Sequence, residues 1–123
     1  MRGAPSRKPA NTMPPMADYS EGAFQKDVIH VAALNGWDAH HIRPGLYGGG
    51  HYRTDGLKGM PDLILIGRHG QGILWAELKA EKGKVSDAQH ARMAQLQNNG
   101  QEVYVWRPSQ MQLIVDRLAA WKN

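Results

Sequence analysis

The chain predicts a single α/β domain, a mixed central sheet flanked by helices, with its elements in the order α-β-β-β-α-β-α. Three observations carry this. Segments with apolar residues at helical spacing alternate with short runs that are almost wholly apolar. Asn, Gly and Pro mark the joints between them. A length of 123 residues with a hydrophobic fraction of 41% gives room for one core and no more.

Residues 1–17 read as a flexible tail. They hold four of the seven prolines, at 5, 9, 14 and 15, and few bulky apolar groups. The folded domain is expected over 18–123. Asp18-Tyr19-Ser20-Glu21 has the form of a capping box with Asp18 as N-cap. Phe24, Val28 and Val31 then recur at helical spacing until Asn35-Gly36 ends the helix. Trp37 to Ile42 predicts a short strand. Pro44 to Gly59 holds six of the fourteen glycines without periodicity and reads as a long loop; loops of that length inside a compact domain are usually functional. Asp62-Leu-Ile-Leu-Ile66 has the character of a buried strand. A turn over Gly67 to Gly72 leads to a second strand, Ile73 to Ala80. Ser86 and Gln89 form a capping box ahead of a helix carrying Met93 and Leu96. Glu102 to Arg107 is a further strand. Pro108-Ser109 opens a last helix with Met111, Ile114, Val115 and Leu118 on one face.

The net charge is +4, but three of the fifteen Lys+Arg lie in the acid-free tail, which leaves the rest 12 against 11. Bulk charge is therefore weak support for a polyanionic partner. No run approaches the ~18 apolar residues of a membrane helix, and the tail lacks the apolar stretch of a secretory signal. The absence of cysteine removes disulfides, thiolate metal sites and cysteine nucleophiles together, and suits a cytoplasmic protein.

Alternation along the second long strand puts Ile73, Trp75, Glu77 and Lys79 on one face, and Leu74, Ala76, Leu78 and Ala80 on the other. Glu77 and Lys79 thus project side by side from an otherwise apolar strand. Burying such charges costs several kcal/mol unless something compensates. A hairpin through Gly67–Gly72 would bring Asp62 roughly opposite Glu77. Two carboxylates and an amine then converge at a sheet edge beside a glycine-rich loop. The carboxylates suit a hard divalent cation. The cation polarises a phosphate and activates a water, which the ammonium orients while offsetting charge on phosphorus.

Gly59-Met60-Pro61-Asp62, followed fourteen residues on by Glu77-Leu78-Lys79, resembles the PD-(D/E)xK nuclease signature. Glu21 on the first helix and the Ser86-x-x-Gln89 helix start narrow the resemblance to the VRR-NUC branch, over about Glu21 to Arg107. The resemblance implies a restriction-endonuclease-like fold and cleavage of DNA. It implies that Asp62, Glu77 and the Leu78 backbone carbonyl ligate Mg²⁺, with Mn²⁺ able to substitute. Lys79 would position the attacking water, Glu21 would complete the site directly or through water, and Gln89 would support it. Stand-alone members this small are often from phage and act on four-way junctions or other branched intermediates.

Each residue also has a plainer role. Glu21 and Gln89 serve as helix-cap residues, Glu77 and Lys79 as a solvated pair, Asp62 as a strand-opening Asx residue. Against the cap role of Glu21, the spacing of three and four through Phe24 and Val28 puts it on the buried stripe of the first helix. His40, His41 and His51 lack the helical i, i+4 pairing of a zinc site. They, His51 among them, instead join Arg43, Arg53 and Lys58 as a cationic loop facing phosphates, and Lys79, Lys82, Lys84 and Arg92 form a second cationic stretch just beyond the catalytic strand. The rivals to a structure-selective nuclease are an inactive DNA-binding module of the same fold and a sequence-specific restriction-type endonuclease. A homodimer is expected, because one constellation cuts one strand and the domain is small; Trp121 is the candidate interface anchor.

Overall fold

The computed structural model describes residues 19–42, 46–47, 51–52 and 58–120; at 46–47 and 51–52 only the backbone is described. The tail 1–17, Asp18, Arg43, Arg53 and Trp121 lie outside the described residues. Helix α1 spans Glu21–Leu34 and buries Phe24, Val28 and Ala32. Its N-cap is Ser20, in extended conformation, whose hydroxyl accepts from the Ala23 N–H at 3.1 Å. This corrects the expected Asp18 cap. The first helical bond runs from the Phe24 N–H to the Ser20 carbonyl, so Asp18 lies two residues too early to cap it. Asn35 ends the helix by donating its side-chain amide to the Val31 carbonyl, and Gly36 (φ 82°) turns the chain.

The main sheet has the order β1-β4-β5-β6, built from β1 (Trp37–His41), β4 (Leu63–Gly67), β5 (Ile73–Leu78) and β6 (Glu102–Trp106). The β1/β4 and β4/β5 pairs are antiparallel, and β5/β6 is parallel. The parallel pair follows from helix α2 (Asp87–Asn98), which carries the chain back before β6 begins. A 3₁₀ turn over Pro108–Gln110 leads into helix α3, Met111–Ala119. The principal elements thus follow the predicted order. One addition falls inside the predicted loop: β2 (Leu46–Tyr47) and β3 (His51–Tyr52) pair antiparallel as a separate small ladder. Two paired residues per strand leave no periodicity for a sequence to display.

Register and alternation sort the residues onto two faces. Leu63, Leu65, Leu74, Ala76, Leu78 and Trp106 point to one side and form the core with Phe24 and Val28 of α1 and Ile114 and Leu118 of α3. Each such buried Leu or Ile contributes roughly 1.5–3 kcal/mol. Helix α3 is further seated by the Trp37 indole N–H, which donates to the Leu118 carbonyl at 2.9 Å, while the Arg117 guanidinium lies over the Trp37 ring and pairs with Glu102. The opposite face carries Ile64, Trp75 and Glu77 and is covered in part by α2, whose Met93 is buried. Among the described residues no helix is long and apolar enough to cross a membrane.

One end of the sheet is closed by Gln71, a buried amide. Its Oε1 accepts from the His69 N–H at 2.7 Å, and its Nε2 donates to the Asn35 and Gly36 carbonyls at 3.2 and 3.0 Å. It therefore fastens the α1–β1 turn to the β4–β5 turn. Gln71→Ala removes all three of these hydrogen bonds and leaves a small void. It is expected to destabilise the protein by roughly 2–4 kcal/mol in urea unfolding, while sparing the chemistry at the other end of the sheet.

Candidate active site

Asp62, Glu77 and Lys79 meet at the opposite end of the sheet from Gln71. Leu63 pairs with Ala76, so one step back along β4 sets Asp62 against Glu77. The Asp62 carbonyl accepts from the Ile42 N–H at 2.8 Å, and its Oδ2 accepts from the Leu78 N–H at 2.9 Å. The carboxylate therefore reaches across to β5 instead of closing a local Asx turn. A strand residue sends its N–H and C=O to the same side, so the Leu78 carbonyl is directed to the Asp62 edge as well.

The segment before Asp62 is set by Gly59. Its φ is 77°, and a Cβ there would lie 2.3 Å from the Ala88 carbonyl oxygen. Any side chain would push the Met60-Pro61-Asp62 segment away from the start of α2. A positive φ adds its own strain for a non-glycine residue.

Glu77 is buried, at 2% exposure. Its Oε2 accepts from the Gln89 Nε2 at 2.7 Å and lies 3.3 Å from the Lys79 ammonium. Its Oε1 is buried and has no partner among the described residues. The carboxyl is pushed up to about 7, first by burial and then by the neighbouring Asp62 charge; Lys79 pulls it down, and Glu21 adds a smaller push upward. An anion buried with one oxygen unpaired is expensive, and a cation placed against that oxygen removes the expense.

Gln89 holds two posts at once. Its Oε1 accepts from the Ser86 N–H at 2.8 Å and its backbone N–H donates to the Ser86 hydroxyl at 3.1 Å, which completes the capping box. Its Nε2 is then free to hold Glu77. Lys79 lies one residue past the end of β5, and its backbone N–H donates to the Trp106 carbonyl at 3.0 Å. Glu21 departs from expectation. It was placed on the buried stripe with Phe24 and Val28, yet it is exposed, as the first residue after the Ser20 cap. Its charge still acts on Glu77, so α1 brings it to the rim of the site.

Of the expected phosphate-facing groups, Lys58, Lys82 and Lys84 are exposed. His51 is on β3, with its side chain outside the described residues, as are Arg43 and Arg53 entirely. The turn bearing Lys82 is clamped by Arg107, whose Nη1 donates to the carbonyls of Ala80, Glu81 and Gly83 at 2.9, 3.1 and 2.7 Å. Nothing in the sequence marked Arg107, because its partners are backbone carbonyls more than twenty residues earlier. Gly59 was legible as part of a motif, and only its contact with Ala88 explains why it is glycine.

Among the described residues no three His, Asp or Glu side chains stand close enough to hold a metal by themselves. The donor set at this edge is two carboxylates and one carbonyl. That fits Mg²⁺, which keeps several waters and takes one or two carboxylates together with substrate phosphate. The VRR-NUC domain family model matches residues 51–110. The match contains Asp62, Glu77, Lys79 and Gln89 and leaves out Glu21. No curated protein and no solved structure matches the chain.

A carboxyl at about 7 in the fold and 4.5 in the unfolded chain makes stability pH-dependent. Between those values the folded protein keeps a proton that the unfolded chain has released, so its stability falls as pH rises through that window and levels off above it. A divalent cation must displace that proton. Adding Mn²⁺ is therefore expected to raise the melting temperature more at about pH 8 than at about pH 5.5, and Glu77→Gln is expected to remove the gain. Equal gains at both pH values would show that the cation binds elsewhere.

Proposed function

We propose that this chain, whose residues 51–110 match the VRR-NUC domain, a PD-(D/E)xK nuclease-type domain, is a Mg²⁺-dependent nuclease that hydrolyses DNA phosphodiesters, selectively in branched DNA. The observation that carries the metal-dependent reading is the Oε1 of buried Glu77, beside Asp62, which has no partner among the described residues. Polar atoms are rarely left orphaned in a well-packed protein without a functional reason.

Asp62, Glu77 and the Leu78 carbonyl would hold the cation. When bound, it supplies a Lewis acid that polarises the phosphate and lowers the pKa of a water. The remaining work belongs to the chain. Gln89 fixes the Glu77 carboxylate through one oxygen and leaves the other available to a cation. Lys79, tied to Glu77 at 3.3 Å, keeps its ammonium at the position of attack, where it orients the water and offsets charge gathering on the phosphate. Glu21 at the rim adds a negative charge that would favour cation entry directly or through water. Lys58, Lys82 and Lys84 would meet the phosphates on either side.

Cleavage of four-way, flapped, nicked and linear DNA, with Mg²⁺ and with chelator, tests this. Asp62→Asn and Glu77→Gln are expected to abolish cutting, and Lys79→Ala to slow it at least ~10²-fold, the scale of one lost electrostatic contact. All three are expected to bind DNA still. Full cutting in chelator, or wild-type cutting by Lys79→Ala, contradicts the mechanism. Equal rates on linear and branched DNA contradict the selectivity.

We also propose a homodimer, which would present two such sites to a two-stranded substrate. Light scattering at micromolar concentration is expected to give twice the 13.7 kDa chain mass; the single mass with double-strand cutting retained would refute it.

A further inference from the structure

An open groove of about 490 Å³ runs beside the site, lined by Lys58, Ala88, Ala91, Arg92 and Gln95. We propose that it seats a phosphate of the DNA backbone next to the cut, with Arg92 as the principal donor; this rests on the nuclease reading above.

The argument starts from the helix. Positions 88, 91, 92 and 95 of α2 form one stripe at the spacing of helix neighbours, beside the stripe of Gln89, Met93 and Leu96 that turns toward the sheet. One turn of α2 thus offers Gln89 to Glu77 on one side and the groove wall on the other. The groove is also joined to Asp62, because the Ala88 carbonyl abuts Gly59 at the head of the Met60-Pro61-Asp62 segment.

Its chemistry is one-sided. Two alanines line the helix wall and leave room for a backbone to approach. Among the described residues two cations line the groove and no carboxylate does. Arg92 is already oriented: its Nε and Nη2 donate to the Lys58 carbonyl at 3.3 and 3.1 Å, and its Nη1 donates to the Gln95 Oε1 at 3.2 Å. A guanidinium has five N–H groups in one plane, so two have no assigned partner among the described residues. A fixed fork with two N–H groups to spare suits the oxygens of a phosphodiester and loses little entropy on binding it. The exposed Lys58 ammonium adds a second charge.

The competing role for Arg92 is a strap that holds residue 58 to α2 and makes no contact with DNA. Two variants separate the roles. Arg92→Ala removes both strap and donor. Ala91→Glu, at an exposed helix position, puts a negative charge in the groove and leaves the strap intact. Binding of a labelled duplex in Ca²⁺ across a salt series, with melting temperatures taken alongside, gives the readout. Arg92→Ala is expected to bind about tenfold more weakly and to lower the slope of log K against log salt by about 0.9. Ala91→Glu is expected to bind at least as weakly as Arg92→Ala, with an unchanged melting temperature. Wild-type slopes in both variants overturn the proposal. So does weak binding by Arg92→Ala alone, which would make it only a strap. Cleavage by the wild type in Mg²⁺ is scored separately: its absence refutes the nuclease reading, while the salt slopes still judge the groove.

Discussion

A single amide, Gln89, joins the α2 helix to the buried Glu77 carboxylate, and the shape of the cleft depends on that bond. The amide has one acceptor and one donor end, and the two are used differently. The oxygen caps the helix at Ser86, which fixes the side chain's rotation. The nitrogen is left directed at Glu77 Oε2 at 2.7 Å. Glutamate at the same position would cap the helix equally well, but it would set a second carboxylate against Glu77. Leucine would leave both the Ser86 N–H and the Glu77 oxygen without that partner. The amide alone satisfies the helix end and the anion together.

Around that bond the charges are unbalanced. Asp62 and Glu21 both push the Glu77 carboxyl up, and Lys79 is the cation that pulls it back toward its ionised form. In a structural ion pair both oxygens of a buried carboxylate would be satisfied, and here one has no partner among the described residues. Local rules are commonly broken in this way where a ligand is meant to complete them. Among the described residues the elements around the cleft are tied to one another. Asp62 and Glu77 stand at the ends of paired strands, Gly59 abuts α2, and Arg107 pins the turn beyond Lys79 through three carbonyls. Sites carried on strand ends hold their geometry better than sites carried on loops.

The core explains why the charged face can be tolerated. The apolar side of β4 and β5 is wholly buried between α1 and α3, and that side supplies the burial on which the domain depends. The other face is thinly covered by a helix with one buried residue, Met93. That imbalance leaves the sheet open beside α2, which offers Gln89 to the Glu77 carboxylate on one side and the wall of the cationic groove on the other.

Strand alternation was enough to place Glu77 and Lys79 together, because a period of two admits only one arrangement once Leu74, Ala76 and Leu78 are known to face the core. The apolar run after Asp62 and the short Gly67–Gly72 turn likewise determined that Asp62 opens a neighbouring strand. Glu21 was misplaced because its distance from Phe24 and Val28 fits a helical stripe whichever residue caps the helix; the Ser20 cap makes it the exposed first residue. Gln89 showed its capping role in the sequence, since Ser86 is three residues away. Its bond to Glu77 spans two elements and has no local signature. Gly59 against Ala88, Arg107 over the 80–83 turn and Arg92 on the Lys58 carbonyl are of the same kind. The sequence by itself determined the order of the elements, the motif that marks the family and the residues that carry charge. Tertiary structure alone decided which of those groups meet, because a contact between distant segments depends on register and helix placement, and packing of the whole core sets both.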